Sequence, residues 1–242
     1  MAIFYNGQSS DDFRLIVEEY PVRTIPRKRY EEVSVPGRSG TVIFDEECYE
    51  NVLRRYKCFI SCETTKLYSA LLRITEWLHG AGGKYATLQD DYDDGVFMKA
   101  YYAGGTEVES VMDRHGRLEL EFNCKPFKYT IEGQSQVTVT NGGKLTNPRM
   151  NDSFPLIYVK MTTTGTAQLN IGDYHATIIS PTPVELIIDS ETQNCYSPDL
   201  ATNYNMLLTL SDGFPKLKPG DNTVTWTGTI SEVKVTPNYY YL

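Results

Sequence analysis

Apolar positions recur along the chain at two periods. Residues 118–124 (LELEFNC) alternate strictly, with Leu118, Leu120, Phe122 and Cys124 on one face and Glu119, Glu121 and Asn123 on the other. A period of two with one apolar face predicts a half-buried strand. Residues 96–102 (VFMKAYY) are expected as its neighbour, residues 106–112 as a further strand, and residues 13–20 and 56–62 as earlier ones. Residues 64–79 follow a different rule, because Leu67, Leu71, Ile74 and Leu78 fall at helical spacing. Thr64 or Thr65 is the expected N-cap, and Gly80 is the expected left-handed terminator. A single-striped helix must cover a sheet, so the first part of the chain is predicted to be α+β.

Beyond residues 132–136 (EGQSQ) the pattern is all β. Strands are expected over 137–140, 156–162, 167–171, 174–179, 184–189, 206–210, 222–227 and 231–236. Turn signals such as Asn141-Gly142-Gly143, Gly172-Asp173 and Pro219-Gly220-Asp221 separate them. Eight short strands at this spacing predict an antiparallel sandwich of jelly-roll type. The fold class is therefore mainly β, with an N-terminal domain over 1–133 and a C-terminal sandwich over 134–242.

Charge sharpens this division. Residues 1–133 carry 17 basic and 22 acidic side chains, whereas residues 134–242 carry only six and nine. The net charge of −8 disfavours a nucleic-acid binder, which needs a basic face. The longest purely apolar run is the opening MAIFY, far short of the ~18 residues of a membrane span. Polar residues follow it at once, so no secretory pattern is visible and synthesis in the cytoplasm is expected. Five cysteines, an odd number, then read as free thiols in a reducing compartment. Cys58 and Cys62 lack a second pair at metal spacing, so small buried apolar residues are the expectation there.

Candidate chemistry is sparse. The acidic stretch 90–95 (DDYDDG) lacks the spacing of a calcium loop and reads as a solvated turn between the helix and strand 96–102. There is no G-x-S-x-G elbow and no phosphate-cradling glycine pattern. Catalytic, cofactor and metal residues are therefore none, and no cofactor is expected. Trp226, in TVTWTGT, either packs in a core or stacks on a sugar ring, and it is the candidate carbohydrate contact. Tyr239, Tyr240 and Tyr241 make an unusually aromatic end that should dock, on its own domain or on a partner. The residues alone thus describe a structural or binding protein.

Four stretches, taken in order, resemble the distal tail protein family of siphophages that infect Gram-positive bacteria. They are 35–49 (VPGRSGTVIFDEECY), 76–102 (EWLHGAGGKYATLQDDYDDGVFMKAYY), 117–129 (RLELEFNCKPFKY), and the end of the chain. There 186–197 (LIIDSETQNCYS) and 213–242 are similar to the family's I-D-x-E-T, F/W-P-x-L-x-P-G-x-N and V-x-V-x-P-x-aromatic elements. The family often has basic or Trp residues near its end, where this chain has three tyrosines. The resemblance implies a structural virion protein of the tail tip, and no enzyme. In the family a homohexameric ring formed by the first domain surrounds a channel, and a galectin-like sandwich projects outward. The implied partners are further copies of the chain, the major tail tube protein, and the tail-associated lysin or tail fibre protein. Receptor-binding and baseplate proteins complete the set, and DNA passes through the channel without specific binding. An acidic channel wall would suit that passage. The alternative is a lectin-like module for host cell-wall recognition, centred on Trp226.

Overall fold

The computed structural model describes residues 1–62, 67–112 and 115–242. The chain divides into two units, Met1–Lys128 and Tyr129–Tyr241. The division comes a few residues before the polar EGQSQ segment. Tyr129 and Thr130 already bond within the second unit, Tyr129 through its hydroxyl to Glu191 (3.0 Å) and Thr130 through its N–H to the Tyr239 carbonyl (2.8 Å).

The first unit comprises β1 (Ile3–Tyr5), β2 (Gln8–Ser9), β3 (Leu15–Val17), β4 (Lys28–Ser34), β5 (Thr41–Tyr49), β6 (Val52–Ser61), α1 (Leu67–His79), β7 (Ala86–Asp90), β8 (Val96–Tyr102), β9 (Val108–Met112) and β10 (His115–Thr130), which runs on past Lys128. Its main sheet has the order β2-β1-β7-β8-β10-β6-β3, with β9 also on β10. The alternation read from residues 118–124 places the core. Leu118, Leu120, Phe122 and Cys124 lie opposite Cys58, Tyr56, Arg54 and Val52 of β6, and all eight are buried. The helix buries Leu67, Ile74, Trp77 and Leu78 in the same core. Trp77 stacks on Phe13 (4.8 Å) and donates its indole N–H to the Tyr5 carbonyl (3.0 Å), so its polar atom is satisfied inside.

Several sequence expectations shift here. Residues 13–20 form only the short β3. A 3-10 turn over Ser10–Phe13, closed by a capping box between Ser9 and Asp12, precedes it, and Arg14 turns left-handed (φ 54°). The candidate caps Thr64 and Thr65 lie outside the described residues. Gly80 does not adopt the left-handed conformation. Its N–H and that of Gly82 close i→i+3 turns on Trp77 and His79, and the reversal falls on Gly82 and Gly83 (φ 59° and 76°). The acidic stretch joins β7 to β8 rather than joining the helix to a strand.

The second unit adds β11 (Val137–Val139), β12 (Gly143–Asn147), β13 (Leu156–Met161), β14 (Gly165–Ile171), β15 (Tyr174–Ser180), β16 (Val184–Asp189), β17 (Asn194–Tyr196), β18 (Leu208–Leu210), β19 (Gly220–Gly228), β20 (Ile230–Thr236) and β21 (Tyr240–Tyr241). Ten of these form two five-stranded antiparallel sheets, β11-β20-β13-β16-β17 and β12-β19-β14-β15-β18. One apolar cluster fills the space between them, drawing Ile157, Val159, Leu186, Ile188, Val233 and Val235 from one sheet and Leu145, Leu169, Ile171, Ala176, Ile178 and Val224 from the other. The mainly β prediction holds, with β12, β17 and β21 added to the strands expected in this unit. Tyr239 and Tyr240 are buried, and the Tyr239 hydroxyl donates to the Thr146 carbonyl (2.7 Å), so Tyr239 docks on its own unit.

Gly228 closes β19 at φ 81°, and a Cβ there would lie 2.3 Å from the Thr166 carbonyl oxygen. Gly228→Ala should lower the stability of the protein by about 2 kcal/mol or more, through the left-handed backbone and the clash together. Urea denaturation of the variant beside the parent measures it.

Candidate functional site

Three buried cysteines, Trp226 and the acidic stretch that the sequence singles out are engaged structurally. Burial pushes the thiols of Cys58, Cys124 and Cys195 up to about 12, which keeps them protonated and unreactive at neutral pH. No group of three or more His, Cys, Asp or Glu side chains suited to a metal occurs among the described residues. Trp226, on which the sugar-binding alternative rests, follows Val224 on the core side of β19 and packs half-buried against the second unit's core. Its backbone is fixed by Asn141, whose amide donates to the Trp226 carbonyl (2.8 Å) and accepts from its N–H (3.0 Å). No described helix is long and apolar enough to cross a membrane.

The acidic stretch has a definite task. Asp90 is buried and accepts from Arg54 (2.8 Å) and the Tyr56 hydroxyl (2.7 Å) on β6. Its second oxygen accepts the N–H groups of Tyr92 (3.1 Å) and Asp93 (3.0 Å), which shapes the turn. Asp93 accepts from Lys128 (2.7 Å), Arg23 (2.8 Å) and Arg54 (3.2 Å). Burial pushes the Asp93 carboxyl up, but the Lys128 hydrogen bond and the charges of Lys128, Arg54 and Arg23 outweigh it and hold the group below its ordinary value. For Tyr56, burial and the Asp90 charge both push the hydroxyl well above its ordinary value. These carboxylates already have protein cations as partners, and the network ties the turn to β6 and β10.

Among the described residues, the hairpin β4–β5 contributes no side chain to the core of the first unit. Pro36 and Gly37 occupy the two central positions of its connecting turn, closed by the Arg38 N–H on the Val35 carbonyl (3.1 Å) with Gly37 at φ 80°. That is the type II turn for which proline followed by glycine is suited. Pairing then runs from Ser34–Thr41 down to Lys28–Tyr49, with a bulge near the base where Glu47 turns left-handed (φ 54°). By register, Glu31, Val33, Val42 and Phe44 share one face, and Tyr30, Glu32, Ile43 and Asp45 share the other. None of these residues belongs to the core of the first unit. Ile43 is 61% and Phe44 54% exposed, and both strands have an unpaired outer edge. Of the 23 exposed large hydrophobic side chains among the described residues, nine lie between Tyr20 and Leu53. That concentration makes this segment the candidate contact surface, since single exposed apolar residues scattered evenly would need no explanation. The edges carry charges of both signs, Lys28, Arg29, Glu31 and Glu32 on β4 and Asp45, Glu46 and Glu47 on β5. Edge charges discourage indiscriminate strand pairing.

No family model and no curated protein sequence matches the chain. Among solved structures, the fold is similar to that of the Dit protein of phage SPP1, described as a paradigm of the hub adsorption apparatus in phages infecting Gram-positive bacteria. The TM-score is 0.75 at 16% identity, over 100% of this chain and 99% of that one. A second likeness is to a chain of the phage P2 baseplate in its activated conformation with Ca, with a TM-score of 0.56 at 10% identity, over 92% of this chain and 89% of that one. At these identities the likeness establishes the fold, and it extends over both units.

Sequence reasoning missed the hairpin as structure, although Pro36-Gly37 between Val33-Ser34-Val35 and Val42-Ile43-Phe44 is a turn between β-branched runs. It also missed that the acidic stretch is neutralised from β6, because Arg54 falls at an inward position where the pattern expects an apolar residue.

A depressed carboxyl contributes stability above its unfolded value, and that stability is lost as pH falls through the folded one. Asp93 should therefore weaken the protein as pH drops below about 4, toward and past its depressed native value. Asp93→Asn should be less stable than the parent at neutral pH, and the gap should narrow on acidification over that range. Urea midpoints of the two proteins at stepped pH check this.

Proposed function

We propose that the chain is a distal tail hub protein of a siphophage infecting Gram-positive bacteria, a structural component of the virion tail tip and not an enzyme. The likeness of fold to the SPP1 hub protein, spanning the whole chain, carries this reading. The order of the sequence elements that resemble the distal tail family supports it independently. On this reading residues 1–133 build a ring of six copies, and the sandwich from residue 134 projects from it. The ring joins the tail tube to the tail-associated lysin or fibre protein and leaves a channel for DNA.

The hairpin supports ring formation on physical grounds. An isolated two-stranded hairpin is marginal in water, and this one shows apolar side chains on both faces. Closed rings form from heterologous contacts, in which a patch on one copy meets an unlike patch on the next. An arm that finds no core in its own subunit is suited to one half of such a contact. Burying one Ile or Phe side chain contributes about 1.5–3 kcal/mol, and a ring repeats the contact at every interface.

Native mass spectrometry and negative-stain microscopy of the purified protein should show rings with a central hole. The double variant Ile43→Asp, Phe44→Glu should give monomers with unchanged circular dichroism. A parent protein that remains monomeric at high concentration and with its tail partners present overturns the proposal. A double variant that still forms rings removes the arm from it.

A further inference from the structure

The arm leaves the body through residues 18–27, which form neither strand nor helix. Two backbone bonds mark the ends of this root. The Glu18 N–H donates to the Lys57 carbonyl (2.9 Å) on β6, and the Glu50 N–H donates to the Arg27 carbonyl (2.9 Å) at the base of the arm. Between them Val22 and Ile25 are 80% and 87% exposed. The root is held at its start by ion pairs of Glu18 with Arg117 (3.2 Å) and of Glu19 with Lys57 (2.5 Å), and further along by Tyr20 and Arg23. The Tyr20 ring stacks on Tyr92 (4.4 Å between centroids), and the Arg23 guanidinium lies 4.5 Å from the centre of the same ring. Arg23 also donates to Asp93 (2.8 Å).

The post to which the root is fastened is rigid for reasons already described. Asp90 bonds the N–H groups of Tyr92 and Asp93, and Lys128 and Arg54 hold the Asp93 carboxylate from β10 and β6. We infer that Tyr20 and Arg23 are positioning residues for assembly: they clamp the root to Tyr92 and Asp93 and so fix the direction in which the arm leaves the body. The assembly half of this inference rests on the reading of the arm as a contact between copies. A root free to sample many directions would have to be ordered on association, which opposes binding. A heterologous contact also closes into one ring size only if its angle is fixed; a wandering arm gives open chains and mixed sizes.

The clamp is tested apart from the ring by limited trypsin digestion in the Phe44→Glu background, where assembly through the arm is suppressed. Tyr20→Ala with Arg23→Gln, which also removes the cleavage site after residue 23, should speed cleavage after Arg27, Lys28 and Arg29 on the order of tenfold, with the remaining sites outside the root and arm unaffected. Arg23→Lys, which keeps the charge but not the flat cation over the ring, should fall between parent and double variant. With Phe44 intact, native mass spectrometry of the double variant should show a mixture of oligomers where the parent gives one species. Unchanged cleavage in the root overturns the clamp, and so does cleavage accelerated equally throughout the chain. A parent that never assembles overturns the ring reading while the digestion still reports on the clamp.

Discussion

A two-stranded sheet has two faces and no third layer, and much in the first unit follows from that constraint. In β4–β5, side chains on both faces look outward, so no choice of residues on one face can hide the apolar side chains on the other. Adding a strand or a helix from the same unit would cure this, and the main sheet shows how, with α1 covering its core face. The hairpin receives no such cover. What holds it to the body is concentrated at its base, where Tyr49 meets Phe127 edge-on (6.3 Å) and residues 18–27 cross to the turn after β7. Its apolar side chains therefore stay uncovered by its own unit; in the proposed contact between copies they would be buried, and its charged edges would restrict which surfaces fit.

The buried polar groups are engaged in holding turns and strands together. Arg54 and Asp90 are both nearly inaccessible, a costly placement that persists only when each charge is paired and its remaining hydrogen-bonding positions are filled. Here they are filled by Tyr56, Asp93 and two backbone amides. The second unit uses neutral amides in the same way. Asn222 accepts from the Lys218 N–H (2.9 Å) and donates to the Lys218 (2.8 Å) and Gly220 (3.0 Å) carbonyls, which ties the loop before β19 to the strand. Groups arranged for reaction keep an unfilled position toward a cavity. Those of Asp90 and Asn222 are spent on fixing turns.

What could be read from the sequence depended on whether burial left a period. β10, β13, β16 and β20 each bury alternate residues against one core, and their patterns stand out. The helix is equally plain, since Leu67, Ile74 and Leu78 face the sheet. β6 begins four residues before the expected start because Arg54, a charged residue at an inward position, interrupts the apolar alternation. β4 and β5 have no buried face, so neither period appears, and only the Pro36-Gly37 turn betrays them. The candidate surface was thus the least legible part of the first unit, because a hairpin with no face buried in its own subunit leaves no apolar period in the sequence. The clamp at Tyr92 and Asp93 was hidden for a related reason, since its contacts span about seventy residues of sequence.

The two units meet the hydrophobic requirement in different ways, and the difference locates the assembly energy. In the second unit two sheets face each other, and ten strands bury their inward residues against one another. Its outward positions are then free to vary without loss of the fold, as on Thr223, Thr225 and Thr227 of β19, which alternate with the core residues. In the first unit a single main sheet and one helix bury only part of the apolar surface, and nine of the fifteen large hydrophobic side chains left exposed among the described residues of 1–128 lie between Tyr20 and Leu53. Residues 1–133 carry most of the charge, 39 of the 54 charged side chains. Apolar surface supplies the driving force for association, and dense charge supplies its register. Both resources lie in the part of the chain that includes the arm, so the first unit is where a ring would draw its free energy and its geometry.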